Sequence, residues 1–307
     1  MPETPTGPFQ DVGLAIVAPS GYATDEAAFL HALDKLAELG FRIHNYSDPK
    51  DKFQRFGQTD DVRLRQLQEA TDNPDVQVVL CVRGGYGISR ILPELDFKKM
   101  AASGKLFVGH SDFTPIHLGL LGAGATSFAG PFIFPDFTAE PLNAFAMEQF
   151  RHCLTSSTHE VAGQMEGNPD VDVSGVLWGG NLAMLTHLVG TPHLPQFEDG
   201  ILFLEDIAEH PYRVERMLLQ LLHAGILGKQ KAVLLGDFSA YRLTDYDNGY
   251  DFNTMLAYIR ERVGIPVIAG LPFGHVLQKA TLAVGAQARL QSRNGAWELS
   301  MRDYRHL

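Results

Sequence analysis

The N-terminal half of the chain alternates short apolar runs with segments whose apolar residues recur at helical spacing. Apolar runs typical of buried strands occupy residues 13–18, 41–46, 76–82, 106–108 and 126–128. Between them, segments 24–40 and 60–70 place apolar side chains three or four residues apart, as amphipathic helices do. Because strands that alternate with helices form right-handed crossovers, this pattern predicts a parallel sheet.

The second half of the chain has a different pattern. Prolines interrupt residues 131–141, one amphipathic helix is predicted over 142–154, and residues 156–174 are polar. Further strands are predicted at 201–204, 232–235 and 267–268. The tail from residue 281 alternates polar and apolar positions, as antiparallel strands do.

These patterns predict two domains of the α/β class. A chain of 307 residues is long for one domain and sufficient for two. We predict an N-terminal parallel α/β sheet domain over 1–155 and a C-terminal, β-rich α/β domain over 173–307. The polar segment 156–172 is the predicted linker.

Composition narrows the classes of protein that the chain can represent. Apolar residues make up 45% of the sequence and charged residues 20%, as in ordinary globular proteins. The formal net charge is −11 and no basic cluster is present, which argues against a nucleic-acid partner. Residues 1–13 lack the basic and apolar regions of a secretory signal, and no run of about 18 apolar residues predicts a membrane span.

Cysteine, histidine and acidic residues form no recognisable metal motif. Cys81 and Cys153 are far apart and form no C-x-x-C pair, which favours a reducing, cytoplasmic location. The acidic segment 245–251 has its glycine at the fifth position and Leu256 falls at the twelfth, so it does not fit a calcium-binding EF-hand loop. The twelve histidines form no zinc-binding motif. We expect no metal and no other cofactor.

One serine lies at a predicted strand-to-helix turn. The apolar run Leu106–Val108 leads through Gly109-His110-Ser111 into apolar residues at helical spacing. A serine on such a turn resembles the nucleophile elbow of hydrolases, although Phe113 stands where the elbow motif has glycine. Taken alone, this stretch favours the simpler interpretation that Ser111 caps the helix.

Two more isolated polar residues follow apolar runs. Glu205 comes directly after 201–204, and His275 closes the segment that follows 267–268. Ligands bind at strand ends in α/β sheets, and the order Ser111, Glu205, His275 is that of serine hydrolases with an acidic third member. Each residue alone also fits a structural or solvated role. Asp206 is expected to point away from Glu205, because neighbouring side chains on an extended segment alternate in direction.

A glycine-rich segment, Arg83-Gly84-Gly85-Tyr86-Gly87, follows the run 76–82. It lacks the lysine and the spacing of phosphate-binding loops. We therefore predict that this segment donates a backbone N–H to an oxyanion, together with the N–H of Asp112 after the candidate nucleophile.

Several blocks in order carry a resemblance to a known family. They are Ala18-Pro-Ser-Gly-Tyr22, Val82-Arg-Gly-Gly-Tyr-Gly87, Gly109-His-Ser-Asp-Phe-Thr114, Leu177-Trp-Gly-Gly-Asn-Leu182, Leu204-Glu-Asp206, Pro211-Tyr-Arg-Val-Glu-Arg-Met217 and Gly270-Leu-Pro-Phe-Gly-His275. Nearly end to end, the chain resembles the serine LD-carboxypeptidases, and among them the murein tetrapeptide enzymes of Gram-negative bacteria. The resemblance implies a catalytic triad of Ser111, Glu205 and His275 in a cleft between two domains. It also implies an oxyanion hole formed by the N–H of Asp112 and one N–H of the glycine segment, for which we choose Gly85.

The resemblance also implies a substrate and a setting. Such enzymes remove the terminal D-alanine from L-Ala-γ-D-Glu-meso-diaminopimelate-D-Ala by cleaving an L,D peptide bond in peptidoglycan recycling, and they are commonly cytoplasmic homodimers. The family also includes microcin-immunity peptidases, which cleave peptide–nucleotide conjugates and would need an aromatic platform for the base. A third interpretation is a ligand-binding module with an inactive triad; the three intact residue types disfavour it.

An exopeptidase must also bind a free carboxylate, normally through arginine or backbone N–H groups. Arg83 is the cation nearest to the glycine segment, and Tyr86 lies within that segment, so both are candidate substrate contacts. The alternative for Arg83 is a surface ion pair. Because the net charge of −11 does not attract an acidic peptide, any electrostatic attraction must be local.

Overall fold

The described part of the chain, residues 7–307 of a computed structural model, contains thirteen strands in two sheets and nine α-helices. Residues 1–6, part of the N-terminal segment without signal-peptide features, lie outside the described residues. Over 7–307, no helix is both long enough and apolar enough to cross a membrane.

The strands follow one another along the chain with the helices between them. The strands are β1 (Gly13–Val17), β2 (Arg42–Asn45), β3 (Val78–Cys81), β4 (Leu106–Gly109), β5 (Ser127–Ala129), β6 (Thr158–Gln164), β7 (Val171–Asn181), β8 (Ile201–Ile207), β9 (Ala232–Ser239), β10 (Val267–Ala269), β11 (Leu282–Val284), β12 (Gln287–Arg293) and β13 (Ala296–Arg302). The helices are α1 (Glu26–Glu38), α2 (Asp60–Asp72), α3 (Ile88–Ile91), α4 (Phe97–Ala102), α5 (Thr114–Gly122), α6 (Ala144–Thr155), α7 (Leu182–His187), α8 (Pro211–His223) and α9 (Phe252–Val263).

The first sheet has the strand order β11-β5-β4-β3-β1-β2. Its strands β1 to β5 are all parallel, as the alternation of strands and helices predicts. Every residue of β1, β3 and β4 is buried, since helices cover both faces of the sheet. Burial on both faces explains why these strands are continuous apolar runs in the sequence.

The second sheet has the order β10-β9-β8-β7-β12-β13-β6 and is half parallel, half antiparallel. The long strand β7 joins the two halves, because it pairs parallel with β8 on one side and antiparallel with β12 on the other. The alternating tail forms the antiparallel pair β12 and β13, as predicted. The chain is therefore an α/β protein built on two sheets.

The strand pairing differs from the predicted division of the chain at two places. The expected linker 156–172 contains β6, which pairs with β13 at the edge of the second sheet. Its buried positions are His159 and Val161, of which only Val161 is apolar, so its sequence does not stand out as a strand. Strand β11, from the expected C-terminal domain, pairs antiparallel with β5 and extends the first sheet. Helix α9 is a further element that the sequence pattern does not predict.

Buried polar contacts connect the two halves of the chain near the ends of β4 and β10. The Lys279 ammonium lies 3.0 Å from the Asp136 carboxylate, and both side chains are almost fully buried. The backbone N–H of Asn181, at the end of β7, donates to the Thr114 hydroxyl at the start of α5 (3.0 Å). These contacts fix the first sheet relative to the second, because a buried charge needs its partner.

The Lys279–Asp136 pair gives a test of this connection. Lys279→Met leaves the Asp136 carboxylate buried without its cation, so the free energy of unfolding should fall by about 3–5 kcal/mol. Adding Asp136→Asn should recover part of the loss. Urea denaturation followed by circular dichroism measures both.

The control for that experiment is Lys229→Met, which removes an ammonium from an exposed pair with Glu198. Exposed pairs contribute about 0–1 kcal/mol, so this variant should unfold almost as the parent protein does. Equal losses for Lys279→Met and Lys229→Met would show that the buried pair does not hold the two halves together.

Candidate active site

Ser111 has a strained backbone at the end of β4. Its φ is +55°, in the left-handed region that non-glycine residues rarely adopt. The residues Ser111–Phe113 form one 3₁₀ turn that leads into α5. This is the strand-turn-helix geometry of a nucleophile elbow. Phe113 is accommodated because position 109 is glycine: a Cβ atom there would lie 2.8 Å from the Phe113 ring.

Three residues from distant parts of the chain form a line of hydrogen bonds. The Ser111 hydroxyl lies 3.0 Å from Nε2 of His275, and Nδ1 of His275 lies 2.8 Å from Oε2 of Glu205. Ser111 follows β4 in the first sheet, whereas Glu205 lies on β8 in the second and His275 follows β10. The structure thus brings together the three residues singled out in the sequence.

These bonds also decide between the two interpretations of Ser111. Neither the 3₁₀ turn nor α5 has a side-chain cap, so the helix-cap interpretation is wrong. The hydrogen bonds assign the tautomer of His275 as well. A carboxylate only accepts, so Nδ1 carries the proton donated to Glu205, and Nε2 is left to accept from the Ser111 hydroxyl.

Asn181 holds both acidic residues of β8. Its side-chain amide donates to Oε1 of Glu205 (3.2 Å) and to Oδ1 of Asp206 (3.0 Å). The expectation that the two carboxylates point apart is therefore wrong. The register of β8 against β9 shifts between Leu204 and Asp206, and this irregularity breaks the regular alternation of side chains. Of the two acids, Glu205 is the one that is hydrogen-bonded to His275.

Asp206 instead stabilises the start of α7. Its carboxylate accepts the backbone N–H of Ala183 at 2.8 Å. Burial, with the neighbouring Glu205 charge, raises the pKa of Asp206 to about 6. This capping role cannot be predicted from the local sequence, because Ala183 is 23 positions away from Asp206 in the chain.

The charge environment of His275 favours its protonated form. Burial alone would lower the pKa of His275, but the hydrogen bond and the charge of Glu205 outweigh it, and the pKa lies above its ordinary value. The charge of Lys279 lowers the pKa of His275, whereas the charge of Asp206 raises it, as that of Glu205 does. The imidazole can therefore take up a proton and hold it as a stabilised cation.

A second histidine, His110, packs against His275 with ring centroids 5.3 Å apart. Its Nδ1 lies 2.8 Å from the Gly130 carbonyl oxygen, which can only accept, so Nδ1 is the protonated nitrogen. Burial and the charge of Lys279 lower the pKa of His110 well below its ordinary value. His110 is thus a neutral packing partner beside the Ser111 turn.

The glycine segment after β3 approaches Ser111 closely. A Cβ atom at Gly84 would lie 2.9 Å from the Ser111 hydroxyl oxygen, so only glycine fits there. Gly85 has a φ of +110°, and its N–H donates to no backbone carbonyl in the described chain. The N–H of Asp112, the other predicted oxyanion donor, lies in the first turn after Ser111, where backbone N–H groups lack helical partners.

Asp112 has a further role that the sequence reading missed. Its buried carboxylate accepts the Ser20 hydroxyl (2.6 Å) and the backbone N–H of Ile88 (3.0 Å). Burial raises the pKa of Asp112 despite these bonds. One side chain thereby ties together the loops that follow β1, β3 and β4, and this contact accounts for the serine of the Ala18-Pro-Ser-Gly-Tyr22 block.

The block Leu177–Leu182 allows β7 to approach the Ser111 turn. The Thr114 hydroxyl donates to the Ser111 carbonyl (2.7 Å) and accepts the Asn181 N–H. A Cβ atom at Gly180 would lie 2.6 Å from the Thr114 hydroxyl oxygen, so a larger residue would push β7 away. Close packing against Thr114 thus explains why position 180 of this block is glycine.

Arg83 and Tyr86 line a small open pocket next to the glycine segment. Arg83 is half-buried and makes no ion pair with any described residue, so the surface ion pair considered for it is not found in residues 7–307. Across the same residues, no group of three or more histidine, cysteine, aspartate or glutamate side chains is arranged to hold a metal ion. Cys81 and Cys153 are both buried free thiols.

Comparison with known proteins places this site in a family context. The sequence profile of the LD-carboxypeptidase N-terminal domain matches residues 14–130, and that of the LD-carboxypeptidase C-terminal domain matches residues 174–290. The murein tetrapeptide carboxypeptidase of Pseudomonas aeruginosa is 30% identical over 300 residues, which are 94% of this chain and 95% of that protein.

Solved structures agree with this relationship. The crystal structure of muramoyltetrapeptide carboxypeptidase from Oxalobacter formigenes is 53% identical, covers 96% of this chain and 100% of that one, and superposes with a TM-score of 0.92. The microcin C7 self-immunity protein in its wild-type apo state has a TM-score of 0.86 at 22% identity, covering 97% of each chain, and at that identity it shares the fold alone. From its two matched domains and its relatives, this chain belongs to the LD-carboxypeptidase family.

Proposed function

We propose that this chain is a serine carboxypeptidase that removes the terminal D-alanine from murein tetrapeptide and leaves the tripeptide. The observation that carries the proposal is the hydrogen-bonded line from Ser111 through His275 to Glu205. The 53% identity to a muramoyltetrapeptide carboxypeptidase over nearly the whole chain supports the choice of substrate.

In the first half of the reaction the Ser111 oxygen attacks the carbonyl carbon between the L-centre of diaminopimelate and D-alanine. His275 takes the hydroxyl proton on Nε2 and passes it to the nitrogen of the departing D-alanine, whose C–N bond breaks. The peptide is left as an ester on Ser111. Glu205 orients the imidazole and stabilises its cationic form, in line with the raised pKa of His275.

In the second half a water molecule hydrolyses the ester. His275 takes a proton from the water, whose oxygen attacks the ester carbon, and returns that proton to the Ser111 oxygen as the tripeptide leaves. In both halves negative charge develops on the former carbonyl oxygen. We assign its stabilisation to the N–H groups of Gly85 and Asp112, each contributing about 2–4 kcal/mol.

The alternative activity on peptide–nucleotide conjugates has less support. It needs an exposed aromatic face for the base. Beside the glycine segment, Tyr22 has the Lys52 ammonium over its ring at 4.8 Å, and Tyr86 has the Arg55 guanidinium over its ring at 5.9 Å. Cationic groups on these rings fit an anionic peptide better than a nucleobase. The third interpretation, a ligand-binding module with an inactive triad, does not account for the strained φ of Ser111, because such strain is typical of functional sites.

We extend the proposal to a cytoplasmic homodimer that acts in peptidoglycan recycling without a metal. Two buried free thiols suit a reducing compartment. The dimer follows from the family resemblance, and the serine mechanism itself requires no metal.

The first prediction from the proposed function concerns the substrate. Purified protein should release D-alanine from the tetrapeptide that ends in D-alanine and leave the one that ends in L-alanine intact, because the reaction needs an L,D bond. Coupled detection of free alanine enantiomers measures this, and EDTA should not change the rate. Equal cleavage of both peptides, or activity that EDTA abolishes and zinc restores, would reject the proposal.

The second prediction separates the two acids of β8. Glu205→Gln keeps the shape but removes the charge that orients His275, so kcat should fall by roughly 10³–10⁴-fold with little change in KM. Asp206→Asn, the matched control, should cost far less, since Asp206 is bonded to Asn181 and Ala183 and not to His275. Reversed results would make Asp206 the triad acid, and a small effect in both variants would leave Ser111 and His275 as a dyad.

The third prediction concerns pH. Because His275 must be neutral to accept the Ser111 proton and its pKa is raised, the acid limb of kcat/KM should lie above pH 6.5. In Glu205→Gln the burial of His275 is no longer offset, so the limb should move to lower pH. The pH dependence of Ser111 labelling by a fluorophosphonate reports this even in a slow variant. A limb that stays in place would show that Glu205 does not set the pKa of His275.

A further inference from the structure

A small pocket lies next to Ser111 on the side of the glycine segment. Gly84 and Gly85 form part of its wall. A Cβ atom at Gly84 would lie 2.9 Å from the Ser111 hydroxyl oxygen. The rest of the wall comes from the loop after β1 and from the segment that leads to α2, including Tyr22 and Arg55. The pocket therefore begins where the peptide bond under attack has to lie.

The pocket is cationic in a chain whose net charge is −11. Arg55 and Arg83 line it, and no carboxylate does. Neither guanidinium forms an ion pair or a hydrogen bond with another residue between 7 and 307, whereas Arg63 and Arg90, on neighbouring elements, both pair with Asp60. Two unneutralised arginines in one small pocket can bind a carboxylate there.

The structure also explains how Arg83 is held in place. Its Cδ and Nε run along Gly21, where an added Cβ would lie 3.3 and 3.4 Å from them. Arg83 is half-buried by this packing, which restricts the side chain before any ligand arrives. Arg55 is exposed, and its guanidinium lies over the Tyr86 ring at 5.9 Å on the rim of the pocket.

We propose that Arg83, assisted by Arg55, binds the C-terminal carboxylate of the residue that the enzyme removes. This inference rests on the proposed function and adds the feature that makes the enzyme an exopeptidase. In a terminal amino acid the carboxylate carbon is two bonds from the scissile nitrogen, so it lies within about 4 Å of the carbon that Ser111 attacks. A cationic pocket that borders the Ser111 turn matches this short distance.

The same pocket then selects against longer peptides. A substrate that continues beyond D-alanine carries an amide in place of the carboxylate, and an amide does not form the charge-assisted, bidentate pair that arginine makes with a carboxylate. The rings of Tyr22 and Tyr86 also line the pocket and limit its space. The pocket therefore favours a small leaving residue with a free C-terminus.

The test compares the tetrapeptide acid with the same peptide amidated at its C-terminus. The parent protein should prefer the acid by about 10- to 100-fold in kcat/KM, the range expected for a hydrogen-bonded charge. Arg83→Gln should lower kcat/KM for the acid by a similar factor and leave the amide unchanged, so that the ratio approaches one. Arg55→Gln should reduce the ratio by a smaller factor.

Arg90→Gln is the matched control. It removes an arginine from the neighbouring helix α3, but that arginine is paired with Asp60 and does not line the pocket, so the acid-to-amide ratio should stay at the parent value. Labelling of Ser111 by a fluorophosphonate, which carries no carboxylate, should be as fast in all three variants as in the parent protein. This shows that the variants are folded with an intact nucleophile.

A third substrate distinguishes the terminal carboxylate from the α-carboxylate of D-glutamate. Here the α-carboxyl of D-glutamate is amidated and the C-terminus is free, and Arg83→Gln should reduce its cleavage as it reduces that of the tetrapeptide acid. The assignment is wrong if Arg83→Gln lowers cleavage of the tetrapeptide acid but not of the peptide amidated at D-glutamate. It is also wrong if the variant keeps the parent preference for a free C-terminus. In both cases the proposed function stands. A parent protein that releases no D-alanine overturns the proposed function and this assignment together.

Discussion

The hydrogen bond between Ser111 and His275 joins groups that belong to two different sheets, and the rest of the site depends on it. A bond of 3.0 Å is lost when the sheets move apart by an ångström. Three buried contacts oppose such a shift: Lys279 with Asp136, the Asn181 N–H with the Thr114 hydroxyl, and strand β11 in the first sheet. At Gly180, β7 of the second sheet also packs closely against Thr114 at the start of α5. The interface between the sheets is therefore part of the site.

The charges around His275 form a second constraint. Glu205 and Asp206 favour the imidazolium, and Lys279 disfavours it while being held by Asp136. Asn181 donates to both acids of β8 and so allows two neighbouring carboxyl groups to remain buried. The two carboxylates thus outweigh the effects of burial and of Lys279, and the pKa of the buried His275 lies above its ordinary value.

The sequence predicted the parts of the fold that depend on local pattern. The buried strands β1, β3 and β4 are continuous apolar runs, and helices cover both of their faces. Strand β6 and helix α9 were missed, and β11 was assigned to the wrong sheet, because pairing partners are not encoded locally. The same holds in the site. Ser111 alone is indistinguishable from a helix cap, and Asn181, Thr114 and the Asp112 carboxylate could not be assigned because their partners are up to 92 residues away.

The two halves of the chain contribute separable functions to the site. Ser111, the glycine segment and the arginine pocket all come from the first half, whereas Glu205 and His275 come from the second. Under the proposed function, binding of the leaving residue would depend on one half alone, and proton transfer would depend on the distance between the halves. Beyond about 8 Å salt screens the repulsion between the net charge of −11 and an acidic peptide, so the two unpaired arginines can dominate at close range. A disturbance of the interface should thus act on kcat, and loss of Arg83 or Arg55 on selection of the C-terminus, because neither arginine belongs to the hydrogen-bonded line and none of the interface contacts named above lines the pocket.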